Sequence, residues 1–268
     1  MALSAGDIQE LLGDDARACL DDLETFESIE STNTYLLWRA APEPGRFRAA
    51  LADYQTQGRG RRGRRWIAPP GAAICLSLSG TFGRLPTNLP SLTLAMGVGA
   101  AATLRTLGVE DVRLKWPNDL VARDGKLGGI LTEASARGSG CTVVVGLGVN
   151  VDVPAAMKNL PLDRWTSKIT DLKECVGALP SSAQLAAGLL QCMIATFERF
   201  DRDGFGPFFE SWQEYDWLRG RQVRVTSDDT ELEGLVSGID SDGALCLQTE
   251  RGMHRVVTGS IETIGGPA

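Results

Sequence analysis

Hydrophobic residues recur at helical spacing along several stretches of the chain. The first stretch, residues 7–24, predicts one or two short helices. Ser31 or Thr32 is a suitable N-cap for a second helical segment that runs to Ala40. The same spacing predicts a long apolar helix over 87–107, a helix from Ser181 to about Phe200, and another over 205–215.

Apolar runs of strand length lie between these helices. They cover residues 48–55, 73–79, 112–116, 127–134 and 142–151. The last run, TVVVGLGVNV, is apolar enough to occupy the centre of a sheet. Residues 26–29 can form a further strand, and 152–179 carry mixed signals that predict a loop with a short helix. Strands and helices in this mixture predict an α+β fold with a mixed sheet and packed helices.

The pattern changes after Trp217, where apolar and polar residues begin to alternate. Four or five short strands follow in about 45 residues, separated by turn pairs such as Asp242-Gly243. Strands of this length and spacing predict a small β-barrel. We place a domain boundary near Arg219-Gly220.

Composition narrows the class of protein. The chain has 268 residues, 43% of them hydrophobic, and no run reaches the roughly 18 apolar residues of a membrane span. The N-terminal sequence does not resemble a signal peptide. Six scattered cysteines without a C-x-x-C pair argue against a zinc site or a disulfide framework and predict a cytoplasmic location. The single histidine, His254, argues against a Ser-His-Asp mechanism.

One positively charged segment stands out in an acidic chain. Gln55–Trp66 reads QTQGRGRRGRRW, with five arginines and three glycines in eight residues. The whole chain carries 27 Lys+Arg against 34 Asp+Glu, and without these arginines the balance would be 22 against 34, or −12. Arginine offers planar, bidentate donors to phosphate and carboxylate, and glycine lets the backbone approach a ligand. The segment therefore predicts a loop that closes over an anionic, nucleotide-like ligand.

Three other interpretations of this loop compete. Gly58, Gly60 and Gly63 satisfy the dinucleotide spacing G-x-G-x-x-G, but Pro69 and Pro70 prevent the helix that this motif requires. An RGG-like RNA-binding tract is usually longer and repeated. A solvated surface loop is the third interpretation. The loop alone does not decide among them.

Four separated segments resemble one known family when taken together. They are S-T-N at 31–33, G-R-G-R-R-G at 58–63 after Gln55, K-W-P-N-D at 115–119 with Lys126 and G-I-L-T-E at 129–133, and G-L-G-V-N at 146–150. In this order they resemble biotin–protein ligases (biotin–[acetyl-CoA-carboxylase] ligases) over residues 26–264. The resemblance implies a catalytic domain of the class II synthetase-like, lipoate-ligase-like fold and a C-terminal SH3-like β-barrel. It also implies three regions: an N-terminal helical extension (1–25), a biotin/ATP catalytic domain (26–218) and the barrel (219–268).

The same resemblance implies a two-step reaction. Biotin and ATP, with Mg²⁺, would give biotinyl-5′-AMP, and a lysine of a biotin carboxyl carrier protein would then accept the biotin. Holding two anions together demands positioning and positive charge rather than a histidine or a cysteine. An arginine flap that orders on the ligand would keep water away from the activated intermediate.

Site residues follow from the matching motifs. Those expected to bind biotin are Ser31, Thr32, Asn33, Gln55, Gly58, Arg59, Gly60, Arg61, Lys126, Gly129, Gly146 and Gly148. Those expected to bind the nucleotide are Arg61, Arg64, Trp66, Lys115, Asn118, Asn150 and Trp165. The expected catalytic residues are Lys126, Arg59, Arg61 and Asp119, and Asn118 with Asp119 is a possible Mg²⁺ site.

Several alternatives and expectations accompany this interpretation. Lipoate- or octanoate-protein ligases or transferases share the fold but generally lack the arginine loop. An RNA-binding module that uses the arginine loop would leave the other motifs unexplained. A nicotinamide oxidoreductase would require a helix after its glycine motif, and neither glycine motif of this sequence is followed by one. The 30 residues before the S-T-N segment are too few for the DNA-binding domain of regulatory members. They are also acidic and would not suit a phosphate backbone, so we expect neither DNA binding nor repressor function. A homodimer is possible, and no membrane association is expected.

Overall fold

The computed structural model describes residues 4–137, 140–158, 168–227 and 230–267. The helices that it contains are α1 (Ala5–Leu11), α2 (Asp14–Cys19), α3 (Thr32–Trp38), α4 (Leu92–Thr106), α5 (Ala155–Lys158), α6 (Leu172–Cys175), α7 (Ser182–Asp203) and α8 (Phe209–Tyr215). Short 3₁₀ turns cover Arg61–Gly63, Leu89–Ser91 and Gly206–Phe208.

The strands form two separate sheets. Those of the first are β1 (Leu20–Phe26), β2 (Phe47–Ala52), β3 (Ala73–Phe82), β4 (Arg113–Lys115), β5 (Asp119–Ala122), β6 (Gly125–Arg137) and β7 (Gly140–Asn150). Their order across the sheet is β1-β2-β3-β7-β6-β5-β4, and only the β1–β2 pair among them is parallel. The α+β class with a mixed sheet, predicted from the sequence, is confirmed.

The two faces of this sheet have different roles. On one face, Ile74, Leu76 and Leu78 of β3 join the main hydrophobic core beneath α4 and α7. On the other face α3 packs over Ala50 and Val144 in a much smaller cluster. Because side chains alternate along a strand, this second face can present polar groups and open space without disrupting the core.

The second sheet is antiparallel throughout and contains β8 (Arg221–Ser227), β9 (Thr230–Ile239), β10 (Leu245–Thr249), β11 (Gly252–Val256) and β12 (Ser260–Pro267). Their order is β11-β10-β9-β8-β12. The predicted C-terminal β-domain is therefore confirmed. It contacts the first unit where the Trp116 indole N–H donates to the Gly243 carbonyl at 2.9 Å. The boundary that we proposed near Arg219 lies between α8 and β8.

The N-terminal region differs from the sequence-based prediction. Residues 20–24, predicted as helix, belong to strand β1. Of the predicted strand at 26–29, Phe26 is the last residue of β1, and residues 27–29 lie outside it, with an isolated bridge between Ile29 and Gln55. Leu20 and Leu23 fit a helical spacing, but pairing with β2 along the whole of β1 overrides this local preference. Strand β5 (Asp119–Ala122) was not predicted. In the described part of the chain no helix is long and apolar enough to cross a membrane.

Asp216 is buried at the junction between α8 and the second sheet, and we expect it to make stability depend on pH. One carboxylate oxygen accepts a hydrogen bond from the Leu218 N–H at 2.9 Å, while Oδ2 has no partner within the described residues. Burial raises the pKa of Asp216 to about 6. The folded protein therefore binds this proton more tightly than the unfolded chain, so stability is lost as pH rises from about 4 through 6.

The variant Asp216→Asn tests this effect. A shift of this size corresponds to about 2–3 kcal/mol between pH 4 and pH 7. As the pH rises from 4 to 7, we expect the stability of Asp216→Asn relative to wild type to increase by about that amount, measured as the free energy of unfolding in urea titrations. A constant difference between the two proteins at every pH would contradict the assignment.

Candidate active site

The face of the central strands that is covered by α3, the start of α3 itself and the arginine loop enclose a cavity of about 480 Å³. Its walls also include the turn between β4 and β5 and residues 259–261 of the second sheet. Chain segments that are far apart in sequence thus meet at one place. All the predicted site residues that the structure describes line this cavity except Gly58. Trp165 lies outside the described residues.

One end of the cavity is a buried network of uncharged polar groups. Ser31 caps α3 by accepting a hydrogen bond from the Thr34 N–H. The side-chain oxygen Oε1 of Gln55 accepts hydrogen bonds from both the N–H and the hydroxyl of Thr32, at 2.8 and 3.1 Å. Ser77 Oγ lies 2.7 Å from Thr32 Oγ1 and 2.6 Å from Asn33 Oδ1. The network is held by several elements at once, and it presents both donors and acceptors to a ligand.

Glycines keep the floor of the cavity low. Gly146 pairs with Ser77 across β3 and β7, and a Cβ at position 146 would come within 2.2 Å of Asn33 Oδ1. A Cβ on Gly148 would come within 2.7 Å of the Trp66 ring, which packs on that strand. Gly129 has room for a Cβ, whose nearest neighbour, Asp119 Oδ1, would be at 3.5 Å. The protein itself thus requires glycine at 146 and 148 but not at 129.

The arginine loop folds as a tight hairpin, which we name the arginine hairpin (residues 58–66). The Trp66 N–H donates to the Gly58 carbonyl at 2.9 Å, and the Gly60 N–H donates to the Arg64 carbonyl at 2.8 Å. A Cβ on Gly58 would lie 2.4 Å from the Trp66 carbonyl oxygen, so this glycine closes the hairpin rather than lining the cavity. At the tip, Arg62 adopts a positive φ of 54°.

Each arginine of the hairpin contacts a different part of the protein. The contacts are Arg59 with Glu133 (2.8 Å), Arg61 with Asn118 Oδ1 (3.2 Å), Arg62 with the Thr226 carbonyl (3.1 Å), Arg64 with Ser260 Oγ (2.5 Å) and Arg65 with the Thr56 carbonyl (3.0 Å). Burial lowers the pKa of Arg61, and the neighbouring charge of Arg62 lowers it further. Arg61 nevertheless stays charged near neutral pH, so it is a poorly solvated cation at the cavity wall, where a bound anion would be favoured.

Lys126 provides a further cation on strand β6. Its ammonium lies 2.7 Å from Asp119 Oδ1, and both side chains are mostly buried. The backbone around it is fixed, because the Asn150 side chain donates to the carbonyls of Lys126 and Thr170 at 3.2 and 3.0 Å. Lys115 also lines the cavity and has its ammonium 5.7 Å from the Trp217 ring centroid. Asn150 therefore has a structural contact in addition to its predicted role.

The expected metal site at Asn118 and Asp119 has few ligands of its own. Asn118 Oδ1 accepts from Arg61 and its Nδ2 donates to the Ile130 carbonyl, while Asp119 is paired with Lys126. No cluster of three metal-ligating His, Cys, Asp or Glu residues occurs in the described ranges. Mg²⁺ is commonly held by one or two carboxylates together with substrate phosphates. One paired carboxylate is a poor fit for a resident ion, and the metal site stays a prediction.

Several residues of the site were missed by the sequence analysis. Ser77 and Cys75 line the cavity from β3, and Ser260 reaches it from the second sheet. The alternation in ICLSLS places Cys75, Ser77 and Ser79 on one strand face, so the period of two could have identified Ser77. Glu133 was quoted only as part of a motif, although it contacts both Asn33 and Arg59. Nothing in the local sequence indicates the contact with Ser260.

Two family models and several sequence relatives match this chain. A family model described as "Biotin/lipoate A/B protein ligase family" matches residues 25–150, and one described as "Biotin protein ligase C terminal domain" matches residues 219–263. The bifunctional ligase/repressor BirA of Escherichia coli (strain K12) is 37% identical over 83% of this chain and 68% of its own length. The biotin--[acetyl-CoA-carboxylase] ligase of Paracoccus denitrificans is 31% identical over 88% of this chain and 98% of its own length.

A solved structure supports the same conclusion for the fold. The biotin protein ligase from Aquifex aeolicus, in complex with biotin and ATP, superimposes with a TM-score of 0.75. The match covers 92% of this chain and 100% of that one, at 23% sequence identity. The family models match both parts of the chain, and the sequence relatives and the fold agree with them. We conclude that this chain belongs to the biotin–protein ligase family.

Proposed function

We propose that this chain is an ATP-dependent ligase that activates biotin as biotinyl-5′-AMP and transfers the biotin to a lysine of a biotin carboxyl carrier protein. The observation that carries the proposal is one cavity lined by two chemically different sets of groups. A buried uncharged network forms one end, and the cations Arg59, Arg61 and Lys126 also line the cavity. Such a cavity suits a ligand with a neutral polar ring, an apolar chain and a carboxylate that must meet a phosphate.

In the first step a carboxylate oxygen of biotin attacks the α-phosphorus of ATP. The bond between that phosphorus and the oxygen bridging to the β-phosphate breaks, and pyrophosphate leaves. Arg61 and Lys126 would stabilise the charge that gathers on the α-phosphate, and the hairpin would hold the carboxylate close to it. Mg²⁺ would enter with the ATP phosphates and supply further positive charge there; its use in this chain is part of the proposal.

In the second step the amine nitrogen of the carrier lysine attacks the acyl carbonyl carbon of biotinyl-AMP. The bond from that carbon to the AMP oxygen breaks, AMP leaves, and the proton that the amine loses passes to solvent. Asp119 forms an ion pair with Lys126 and would orient the Lys126 side chain. A role for Asp119 in activating the incoming amine stays a prediction, as do the separate biotin and nucleotide assignments of the other cavity residues.

The polar end of the cavity favours biotin over lipoate or octanoate. The ureido ring of biotin has two N–H donors and one carbonyl acceptor, whereas a dithiolane or an alkyl end has no comparable groups. Three side chains at this end, Ser31, Thr32 and Asn33, are at most 4% exposed. These groups pair with one another and with the backbone, and their remaining acceptor lone pairs can receive the ureido N–H groups, whereas an apolar ligand end offers them no hydrogen bond.

The proposal also covers the location and the assembly of the protein. All six cysteines are free thiols, which is consistent with a reducing cytoplasm. A homodimer and the absence of DNA binding or repressor function stay predictions.

Transfer to a carrier protein tests the proposed function. The purified chain, biotin, ATP and a purified biotin carboxyl carrier protein should give a carrier with one biotin on its acceptor lysine, detected by mass spectrometry. A carrier with arginine in place of that lysine is the matched control and should stay unlabelled. No labelling of the wild-type carrier by a folded enzyme would refute the transfer activity.

A further inference from the structure

Glu133 of strand β6 makes one contact with each of two different parts of the site. Its Oε2 accepts a hydrogen bond from Asn33 Nδ2 at 2.9 Å, and its Oε1 lies 2.8 Å from the Arg59 guanidinium. The Glu133 side chain is 21% exposed, and among the described residues that form the cavity wall Glu133 is not included. One carboxylate therefore joins the uncharged end of the cavity to the arginine hairpin without itself facing the ligand.

The contact with Asn33 fixes the orientation of a buried amide. Asn33 is 4% exposed, and its Nδ2 also donates to the Leu131 carbonyl at 3.3 Å. A carboxylate and a carbonyl can only accept, so together they hold the amide nitrogen on their side. The amide oxygen is then turned towards Ser77, at 2.6 Å. Asn33 consequently presents a defined pattern of hydrogen-bonding atoms at the uncharged end of the cavity.

The contact with Arg59 is at the base of the arginine hairpin. Arg59 pairs with Arg65 in the hairpin, and its side chain is 47% exposed. An ion pair of this exposure contributes little to the stability of the fold. Its effect should instead be to hold the first strand of the hairpin against β6.

We propose that Glu133 is a positioning residue that couples biotin binding at Asn33 to closure of the arginine hairpin. The inference rests on the proposed function. A ligand ring that hydrogen-bonds Asn33 restrains the amide, and the amide restrains the carboxylate that holds Arg59. A ligand bound at the uncharged end therefore favours the closed position of the arginine hairpin, in which the hairpin covers the cavity. A closed hairpin slows dissociation of the ligand.

The variant Glu133→Gln separates coupling from packing. It keeps the size of the side chain but replaces one acceptor oxygen with an N–H₂ donor. In either orientation of the new amide, a donor then faces Asn33 Nδ2 or the Arg59 guanidinium, so one of the two contacts is lost. We expect the Kd and the KM for biotin to rise about tenfold, and the KM for ATP to change less than about threefold.

Trypsin cleavage within the hairpin reads out the coupling directly. In the wild-type protein, saturating biotin should slow cleavage after the hairpin arginines. In Glu133→Gln, biotin at a concentration that saturates the variant should leave the cleavage rate within about twofold of the biotin-free rate, because one of the two contacts that connect Asn33 to Arg59 is lost. Glu210→Gln, at an exposed position on α8, is the matched control and should behave as wild type.

The possible outcomes are distinct. A Glu133→Gln protein with wild-type biotin affinity and wild-type protection by biotin overturns the inference, as does a wild-type hairpin whose cleavage ignores bound biotin. A wild-type protein that binds no biotin overturns the proposed function and this inference with it. Should Glu133→Gln fail to fold, Arg59→Gln removes only the half-exposed partner, and it should abolish the protection; retained protection would refute the coupling.

Discussion

Replacing Lys126 with methionine should lower the rate of biotin adenylation by about 10²–10³-fold. The substitution keeps most of the side-chain volume and removes the one ammonium that lies 2.7 Å from Asp119 at the cavity wall. A cation that meets the charge of the transferring phosphate in a poorly solvated site acts mainly on the transition state. We therefore expect the rate of adenylation to fall far more than the affinity for biotin. Single-turnover formation of biotinyl-AMP measures this rate.

A matched control distinguishes this loss from a general effect of removing a lysine. Lys173 forms an ion pair with Asp152 at 2.7 Å, but its side chain is 61% exposed. Lys173→Met should leave adenylation unchanged and cost at most about 1 kcal/mol of stability. An adenylation rate of Lys126→Met within about tenfold of wild type would refute the assigned role. A thermal melt of each variant checks that it is folded.

The second large effect is expected from Gly146→Ala. The new Cβ would lie 2.2 Å from Asn33 Oδ1 and 2.9 Å from Asn33 Cγ. Asn33 cannot move aside freely, because its amide contacts Ser77, Leu131 and Glu133 at the same time. The alanine must therefore displace Asn33 and disrupt the uncharged end of the cavity, and we expect biotin affinity to fall by about 10²-fold or more, by isothermal titration calorimetry.

Gly177→Ala is the control for this substitution. A Cβ on Gly177 meets nothing within 4 Å, so its biotin affinity and stability should match those of the wild-type protein. Gly148→Ala allows a comparison of the two positions. Its Cβ would meet the Trp66 side chain at 2.7 Å, whereas the Cβ at position 146 would meet the hydrogen-bonded amide of Asn33. Biotin affinity in Gly146→Ala equal to that in wild type would show that Asn33 does not need its observed position.

Much of the site could be predicted because its residues occur in short, unusual motifs. The S-T-N segment, the arginine run and K-W-P-N-D each carry several site residues within a few positions. Lys126 is different, since a lysine beside Gly125 in a turn-like sequence would be interpreted as solvated without the resemblance to a family. Its proximity to Asp119 arises only because β5 and β6 are paired in the sheet.

The parts that were missed depend on long-range contacts. Ser260 approaches Arg64 from a different sheet, 196 residues away along the chain. Glu133 matters through the two partners that the fold brings to its carboxylate. Strand β1 was predicted as helix because local spacing cannot reveal that residues 20–26 pair with β2. In each case the information lies in the tertiary arrangement, which no window of sequence contains.

The most direct test of the proposed function is the exchange of labelled pyrophosphate into ATP in the presence of a carboxylic acid substrate. Biotin, lipoate and octanoate are tested in parallel. The first half-reaction returns pyrophosphate to ATP only when the enzyme forms an acyl-adenylate, so exchange reports which acid is activated. We expect rapid exchange with biotin and none above background with the other two acids. Exchange with lipoate or octanoate in place of biotin, or no exchange by a folded protein with any of the three, would contradict the proposed function.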